Sequence, residues 1–128
     1  MVDEKTSTDS PRILIVEDEA VIAMRLEQLL THLDYEVVGM ASRGEDAISA
    51  LAEKQPDLIL MDIQLAGELD GVETAARIRE RFDTPIVYLS AYPEQMITEE
   101  VQRTEPASFL SKPVRNQELL ATVEMALY

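Results

Sequence analysis

Three carboxylates stand where apolar runs of the sequence end. Glu17 and Asp18 follow one such run, and Asp62 follows another. Carboxylates that crowd together raise each other's cost of ionisation unless a cation joins them. Hard oxygen ligands with room for water suit Mg²⁺, with Mn²⁺ as a substitute. If the three side chains converge, the sequence predicts a site for a divalent cation.

A hydroxyl and an ammonium group stand at the ends of two later apolar runs, at Ser90 and Lys112. A metal held by a few carboxylates, with open positions, is one way in which proteins hold the oxygens of a transferring phosphoryl group. A lysine and a hydroxyl nearby would complete such a site. Each acidic residue taken alone is more often a solvated loop residue. Convergence of all five groups at one edge of a sheet instead favours phosphoryl chemistry.

The apolar runs themselves predict five β-strands. They are short, unbroken and rich in β-branched residues, as in the strands of a parallel sheet that is covered on both faces. The runs are Ile13–Val16, Val37–Val38, Leu58–Met61, Ile86–Leu89 and Phe109–Leu110. Stretches with apolar residues at helical spacing lie between them, such as Ile22, Leu26, Leu29 and Leu33. Each predicted strand is therefore followed by a predicted helix.

Local signals predict where several of these helices begin. They are Ser42 with Glu45, Asp70 with Glu73, and Pro93. The two pairs have the spacing of a capping box, and a proline suits the first turn of a fourth helix. A fifth helix is predicted over residues 115–128.

Five strand-then-helix units joined by right-handed crossovers predict an α/β fold, a doubly wound parallel sheet with helices on both faces. Ligands of such sheets lie beyond the carboxyl ends of the strands, where the strand order reverses. With the order 2-1-3-4-5, strands 1, 3, 4 and 5 are neighbours. That order would bring all five polar groups to one edge.

Length and charge exclude several classes of protein. A chain of 128 residues fits one domain, expected over residues 11–128 after a loose polar tail at 1–10. The formal net charge of -14 repels phosphate backbones and anionic headgroups, so direct binding to nucleic acid or to a membrane is disfavoured. There is no cysteine for a disulfide or a thiolate zinc site. No apolar run matches a membrane span or a signal peptide, which favours a cytoplasmic location.

Taken in order, these residues resemble the receiver domain of two-component response regulators. The matching segments are Ile13–Glu19, Leu60–Asp62, Asp70–Gly71, Leu89–Ala91 and Phe109–Pro113. The resemblance runs from Ile13 to the last helix, and each fragment is weak by itself while the ordered set is specific. It implies the flavodoxin-like (βα)5 fold.

The resemblance also implies a role for each residue of the site. Asp62 would be the phosphoacceptor, which takes a phosphoryl group from a phosphohistidine on a histidine kinase or phosphotransfer protein, or from a small donor. Glu17, Asp18, Asp62 and the backbone carbonyl of Gln64 would hold Mg²⁺. Lys112 would pair with Asp62 before transfer and with the phosphoryl group afterwards. The bond from Lys112 to the next residue, a proline, is expected to be cis.

Two further residues are implied to be the switch. The hydroxyl of Ser90 would move toward the phosphoryl oxygens, and the ring of Phe109 would turn inward. The reshaped surface would lie on the fourth helix, fifth strand and fifth helix, facing a downstream protein or a fused output module, and is a candidate for homodimer contact. Such a domain promotes its own phosphorylation and dephosphorylation and is no conventional enzyme.

Two residues that flank the pocket, Gln64 and Tyr92, are candidates for tuning the lifetime of the acyl phosphate. For Tyr92, an aromatic ring resting at the start of a helix is an equal interpretation. The loop after Asp62, residues 63–71, is longer than is common in the family. It resembles receivers that are coupled to sensory or kinase modules.

Three rival functions remain at this point. A phosphatase of the haloacid dehalogenase type needs a second Asp two residues after the nucleophile, where this chain has Gln64. A flavodoxin-like flavin carrier shares the fold but needs a glycine-rich and hydroxyl-rich phosphate loop after the first strand, where this chain has Glu17–Ala20. A receiver-like module that binds its partner without phosphorylation would not need the full set of polar groups.

Overall fold

A parallel sheet runs through the middle of the domain. The structure is a computed structural model that describes residues 10–128. Apart from Ser10, the expected tail over residues 1–10 lies outside the described residues. The strands are β1 (Arg12–Val16), β2 (Glu36–Ala41), β3 (Leu58–Asp62), β4 (Ile86–Ser90) and β5 (Ser108–Ser111). Their order is β2-β1-β3-β4-β5, which confirms the predicted fold class and strand order.

Helices cover both faces of the sheet. They are α1 (Ala20–His32), α2 (Gly44–Lys54), α3 (Gly71–Arg79), α4 (Glu99–Arg103) and α5 (Asn116–Leu127), with a short 3-10 helix, Pro93–Ile97, before α4. Side chains of α2, α3 and α4 pack on one face, and side chains of α1 and α5 pack on the other. Among the helices of residues 10–128, none has the length and apolar character needed to cross a bilayer.

The unbroken apolar runs follow from this two-sided packing. In β1, Ile13 and Ile15 face α1 and α5, whereas Leu14 and Val16 face α2 and α3. Each of these side chains is at most 1% exposed. Full burial of one such side chain stabilises the fold by roughly 1.5–3 kcal/mol. A polar residue on either face of β1 would lose that contribution. Polar and apolar residues therefore do not alternate along this strand.

One predicted helix start is confirmed in detail. Asp70 is the N-cap of α3, and its side chain accepts the backbone N–H of Glu73 at 2.8 Å. The Glu73 carboxylate in turn accepts the Asp70 N–H at 3.1 Å. The next residue, Gly71, lies so close to β3 that an added Cβ would sit 1.9 Å from the carbonyl oxygen of Asp62. Glycine at this position therefore lets α3 begin directly beside the end of β3.

A second predicted helix start is wrong. Ser42 does not cap α2, because Arg43 is the N-cap residue, in extended conformation and without a side-chain capping bond. Leu33, placed in the first helical stripe, is the C-cap residue after α1 ends at His32. The N-cap of α2 is therefore one residue later than predicted, because the turn after β2 is one residue longer.

The fourth helix is divided in two. Pro93 stands in the first turn as expected, but of a 3-10 helix that ends at Ile97. Thr98 then adopts extended backbone angles, and its hydroxyl accepts the N–H of Val101 at 3.3 Å as the cap of α4. The division occurs because Thr98 starts a new helix with its own cap. The segment between β4 and α4 therefore stays close to the carboxyl end of β4.

Candidate functional site

An open cleft of about 490 Å³ lies at the carboxyl ends of β1, β3, β4 and β5. Four of the five predicted polar residues line it: Asp18, Asp62, Ser90 and Lys112. The fifth, Glu17, is buried and contacts Lys112. The cleft lies where the strand order reverses, between β1 and β3, as the rule for doubly wound sheets requires.

Asp62 is the last residue of β3 and is only 4% exposed. Its Oδ1 accepts the backbone N–H of Gln64 at 3.1 Å. Its Oδ2 lies 3.1 Å from Nζ of Lys112. A backbone donor and an ammonium therefore fix the orientation of this carboxylate, which faces an open cleft.

Lys112 follows β5 and is shared between two acids. Its Nζ lies 2.8 Å from Oε1 of Glu17 as well as near Asp62. Burial alone would lower the pKa of Lys112, but the bond to Glu17 and the charge of Asp62 outweigh it and raise the pKa. The lysine is therefore an ammonium at neutral pH. The Lys112–Pro113 peptide bond is cis, as expected.

Glu17 is the most buried acid of the cluster, with its side chain fully inaccessible. Its Oε2 accepts the N–H of Glu19 at 3.1 Å. Burial raises the pKa of the Glu17 carboxyl to about 7, although the bonds from Lys112 and from the Glu19 backbone act to lower it. One ammonium therefore does not fully compensate this carboxylate, so the cluster has room for more positive charge.

Carboxylate oxygens of Glu17, Asp18 and Asp62 lie within 4.8 Å of one another. Asp18 is held by the longer loop after β3, since its Oδ2 accepts the N–H of Ala66 at 3.1 Å. Three carboxylates within this distance, two of them lining an open cleft, offer the hard oxygen ligands that Mg²⁺ and Mn²⁺ prefer. The donor set therefore fits a divalent cation.

Ser90 ends β4 and is 2% exposed. Its Oγ accepts the N–H of Tyr92 at 2.9 Å and lies 2.7 Å from Oε1 of Gln95, on the 3-10 helix. Tyr92 lines the cleft and its side chain is half exposed, as one expects of a residue at the start of a helix. Gln95 also lines the cleft. It is not among the predicted site residues, because no motif marks a residue five positions after Ser90.

Phe109 does not line the cleft. Its ring is partly buried and stacks on the ring of Tyr88 in β4, with centroids 6.3 Å apart. The Tyr88 hydroxyl lies 2.6 Å from Oγ1 of Thr104, the C-cap residue of α4. The aromatic pair thus connects β4 and β5 to the end of α4.

Comparison with known proteins gives the family. The sequence model of the response regulator receiver domain matches residues 13–124. The chain belongs to the receiver domain family. This membership separates the receiver from the flavin carriers and the haloacid dehalogenase phosphatases, the two rival families that share parts of the pattern.

Relatives of this receiver are regulators. It is 39% identical over 117 residues to the phyllosphere-induced regulator PhyR of Methylorubrum extorquens, covering 91% of this chain and 43% of that protein. It is 34% identical over 116 residues to the transcriptional regulatory protein PdtaR of Mycobacterium tuberculosis, covering 91% of this chain and 56% of that protein. The receiver thus spans about half the length of these relatives.

Among solved structures, the receiver resembles the signal receiver domain of a modulated diguanylate cyclase from Desulfovibrio desulfuricans. The TM-score is 0.86 at 38% identity, over 93% of this chain and 94% of that one. Unlike the curated relatives, this neighbour is matched over nearly its whole length.

Proposed function

We propose that this receiver accepts a phosphoryl group on Asp62 and so acts as a switch in two-component signalling. The observation that carries the proposal is the contact of Asp62 with the Lys112 ammonium, 3.1 Å long, in an open cleft beside two further acids. A carboxylate oxygen of Asp62 forms a bond to phosphorus. The bond from phosphorus to the imidazole nitrogen of the donor's phosphohistidine breaks, and that nitrogen keeps the electron pair. The product is an acyl phosphate on Asp62.

The acidic cluster would hold Mg²⁺, or Mn²⁺ in its place, through Glu17, Asp18, Asp62 and the backbone carbonyl of Gln64. When bound, the cation supplies positive charge beside the transferring oxygens. The Lys112 ammonium supplies a second positive charge from the other side of Asp62. It donates to the carboxylate before transfer and to a phosphoryl oxygen afterwards. Because the transition state is loose, placing charge in this way is most of the catalysis required.

The switch would be Ser90 with Phe109. A bond from the Ser90 hydroxyl to a phosphoryl oxygen exists only in the phosphorylated state, so it favours that state by its own free energy. Phe109 packs against Tyr88, whose hydroxyl contacts Thr104 at the end of α4. A shift of the β4 end would therefore pass to this pair and to α4. Gln64 and Tyr92 line the cleft and are exposed, and their side chains would limit the access of water to the acyl phosphate.

The partners follow from this chemistry. The donor would be a histidine kinase or a phosphotransfer protein, and the output surface would be α4, β5 and α5, which a downstream protein, a fused output module or a second copy would bind. The receiver would act on itself, promoting its own phosphorylation and dephosphorylation, and not as a turnover enzyme. The domain boundary after an N-terminal tail of about ten residues belongs to the same proposal.

Intact mass after incubation with acetyl phosphate and Mg²⁺ tests the proposal. We expect a single phosphoryl adduct that hydroxylamine removes, as it removes acyl phosphates. Asp62→Asn and addition of a chelator should each abolish the adduct. Asp83→Asn is the matched control, since this exposed carboxylate lies between α3 and β4, away from the cleft.

If the adduct persists in Asp62→Asn, Asp62 is not the phosphoacceptor. If no adduct forms on the parent chain and beryllofluoride with Mg²⁺ leaves its NMR spectrum unchanged, the domain does not accept phosphoryl groups. The receiver would then be a module that binds partners without phosphorylation.

A further inference from the structure

The switch hydroxyl is already engaged by a side chain that no family motif marks. The Ser90 hydroxyl donates to Oε1 of Gln95 at 2.7 Å. The same Ser90 Oγ accepts the N–H of Tyr92 at 2.9 Å. The Tyr92 carbonyl, 3.0 Å away, is a second acceptor in the same segment. A serine hydroxyl has a single proton to donate. While that proton is given to the segment after β4, it is not available to a phosphoryl oxygen.

Gln95 is held in place by its own backbone. Its N–H donates to the Tyr92 carbonyl at 3.0 Å in the first turn of the 3-10 helix. Gln95 also lines two cavities. One is the cleft around Asp62, and the other is a mostly apolar groove of about 370 Å³ between α3 and α4, lined by Val72 and Val101 among others. When its bond to Ser90 breaks, the Gln95 amide has space on either side.

We propose that Gln95 is a positioning residue that holds the Ser90 hydroxyl in the orientation of the unphosphorylated receiver. The inference rests on the proposed phosphorylation of Asp62. For Ser90 to donate to the phosphoryl group, the bond to Gln95 must break. A bond made only in the resting state lowers the population of the active state, and so weakens binding of any ligand that requires the active state. Gln95 therefore sets how readily this receiver switches.

Beryllofluoride mimics a phosphoryl group on an aspartate, so its affinity reports the equilibrium between the resting and active states. Its affinity in the presence of Mg²⁺ can be followed by NMR titration of the parent chain and of variants. Gln95→Met keeps the length of the side chain but removes the amide oxygen, so we expect binding about 3- to 10-fold tighter, the effect of one lost hydrogen bond. Gln95→Glu keeps an acceptor oxygen, so its binding should be no tighter than that of the parent.

Two controls separate this effect from general loosening of the segment. Gln102 is a second glutamine next to it, and its Nε2 donates to the Met96 carbonyl at 2.9 Å without touching Ser90. Gln102→Met should leave the affinity unchanged. In a Ser90→Ala background, Gln95→Met should have no effect, because the hydroxyl that it releases is absent.

The inference is overturned if Gln95→Met does not tighten binding, if Gln102→Met tightens it equally, or if the effect persists in the Ser90→Ala background. Failure of the proposed function looks different. In that case the parent chain does not bind beryllofluoride, or Asp62→Asn binds it as well as the parent, and the inference falls with it.

Discussion

At the residue scale, Lys112 balances two acids that come from different strands. Glu17 follows β1 and Asp62 ends β3, and their side chains are 0% and 6% exposed. Two nearly buried carboxylates beside each other repel and are costly to ionise unless a cation faces both. The lysine therefore contributes to the stability of the fold as well as to the proposed chemistry. This double role separates it from the exposed lysine of α2, Lys54.

Lys112→Met should destabilise the chain in the presence of a chelator. Removing one partner from a buried ion pair costs about 3 kcal/mol, at the low end of the usual range because the lysine is partly accessible. Mg²⁺ should restore part of the loss, since a bound cation also faces the acids. Urea unfolding followed by circular dichroism measures both effects. Lys54→Met should change stability by less than about 0.5 kcal/mol, and an equal loss in both variants would contradict the shared ion pair.

At the scale of elements, strands were easier to predict than helix boundaries. β3 and β4 are buried at every position, and apart from Asp62 and Ser90 at their ends both faces of the sheet select apolar side chains. Their apolar runs are therefore clear in the sequence. The start of α2 and the division before α4 depend on the backbone angles of single residues, Arg43 and Thr98. Composition does not encode such angles. The bond between Ser90 and Gln95 could not be predicted for the same reason, since it needs the 3-10 turn.

The polar groups of the site were predictable because each stands directly at a strand end, where a parallel sheet brings them together. Phe109 matches the family motif, yet its ring packs beside Tyr88 and away from the cleft. A motif gives the position of a residue along the chain. The direction in which its side chain points depends on packing partners that lie elsewhere in the sequence.

Tyr88 connects two elements through its hydroxyl, and this gives a prediction with a pH dependence. The phenol in β4 and the Thr104 hydroxyl are both buried and lie 2.6 Å apart. Tyr88→Phe should cost about 1 kcal/mol at neutral pH, because one buried hydrogen bond is lost. Burial raises the pKa of Tyr88 above its ordinary value, while the bond to Thr104 and the charge of Arg79 partly oppose the rise.

The raised pKa fixes the direction of the pH effect. The neutral phenol is favoured in the folded state. Its contribution to the free energy of unfolding is therefore fully present below the unfolded pKa of about 10, and it is lost as the pH rises through the folded pKa. The stability gap between the parent and Tyr88→Phe should therefore narrow above about pH 10. Urea unfolding of both proteins at neutral and alkaline pH measures the gap. A gap that stays constant would show that the Tyr88 phenol does not ionise differently on folding.

At the scale of the whole molecule, the acidic composition acts against compaction. The chain has 25 acidic and 11 Lys or Arg residues, so folding brings a formal net charge of -14 into one domain. Self-repulsion of this kind is general and weakens with any salt, because ions screen charges beyond about a Debye length. The cluster of Glu17, Asp18 and Asp62 is different, since carboxylate oxygens of its three residues lie within 4.8 Å of one another beside the cleft.

These two electrostatic costs respond differently to added ions, which gives the last prediction. NaCl should raise the melting temperature of the chelator-treated chain gradually and by the same amount in Asp18→Asn. Mg²⁺ at the same ionic strength should add a saturable increase in stability. At one hundred times its dissociation constant, Mg²⁺ should raise the free energy of unfolding by about 2.7 kcal/mol. Asp18→Asn should lose most of that increase, because Asn keeps an oxygen for the Ala66 N–H but not the charge. Asp83→Asn removes the same charge away from the cleft and should keep the full increase. If Mg²⁺ stabilises Asp18→Asn and Asp83→Asn equally, its effect is screening of the whole surface, and the three acids do not form a cation site.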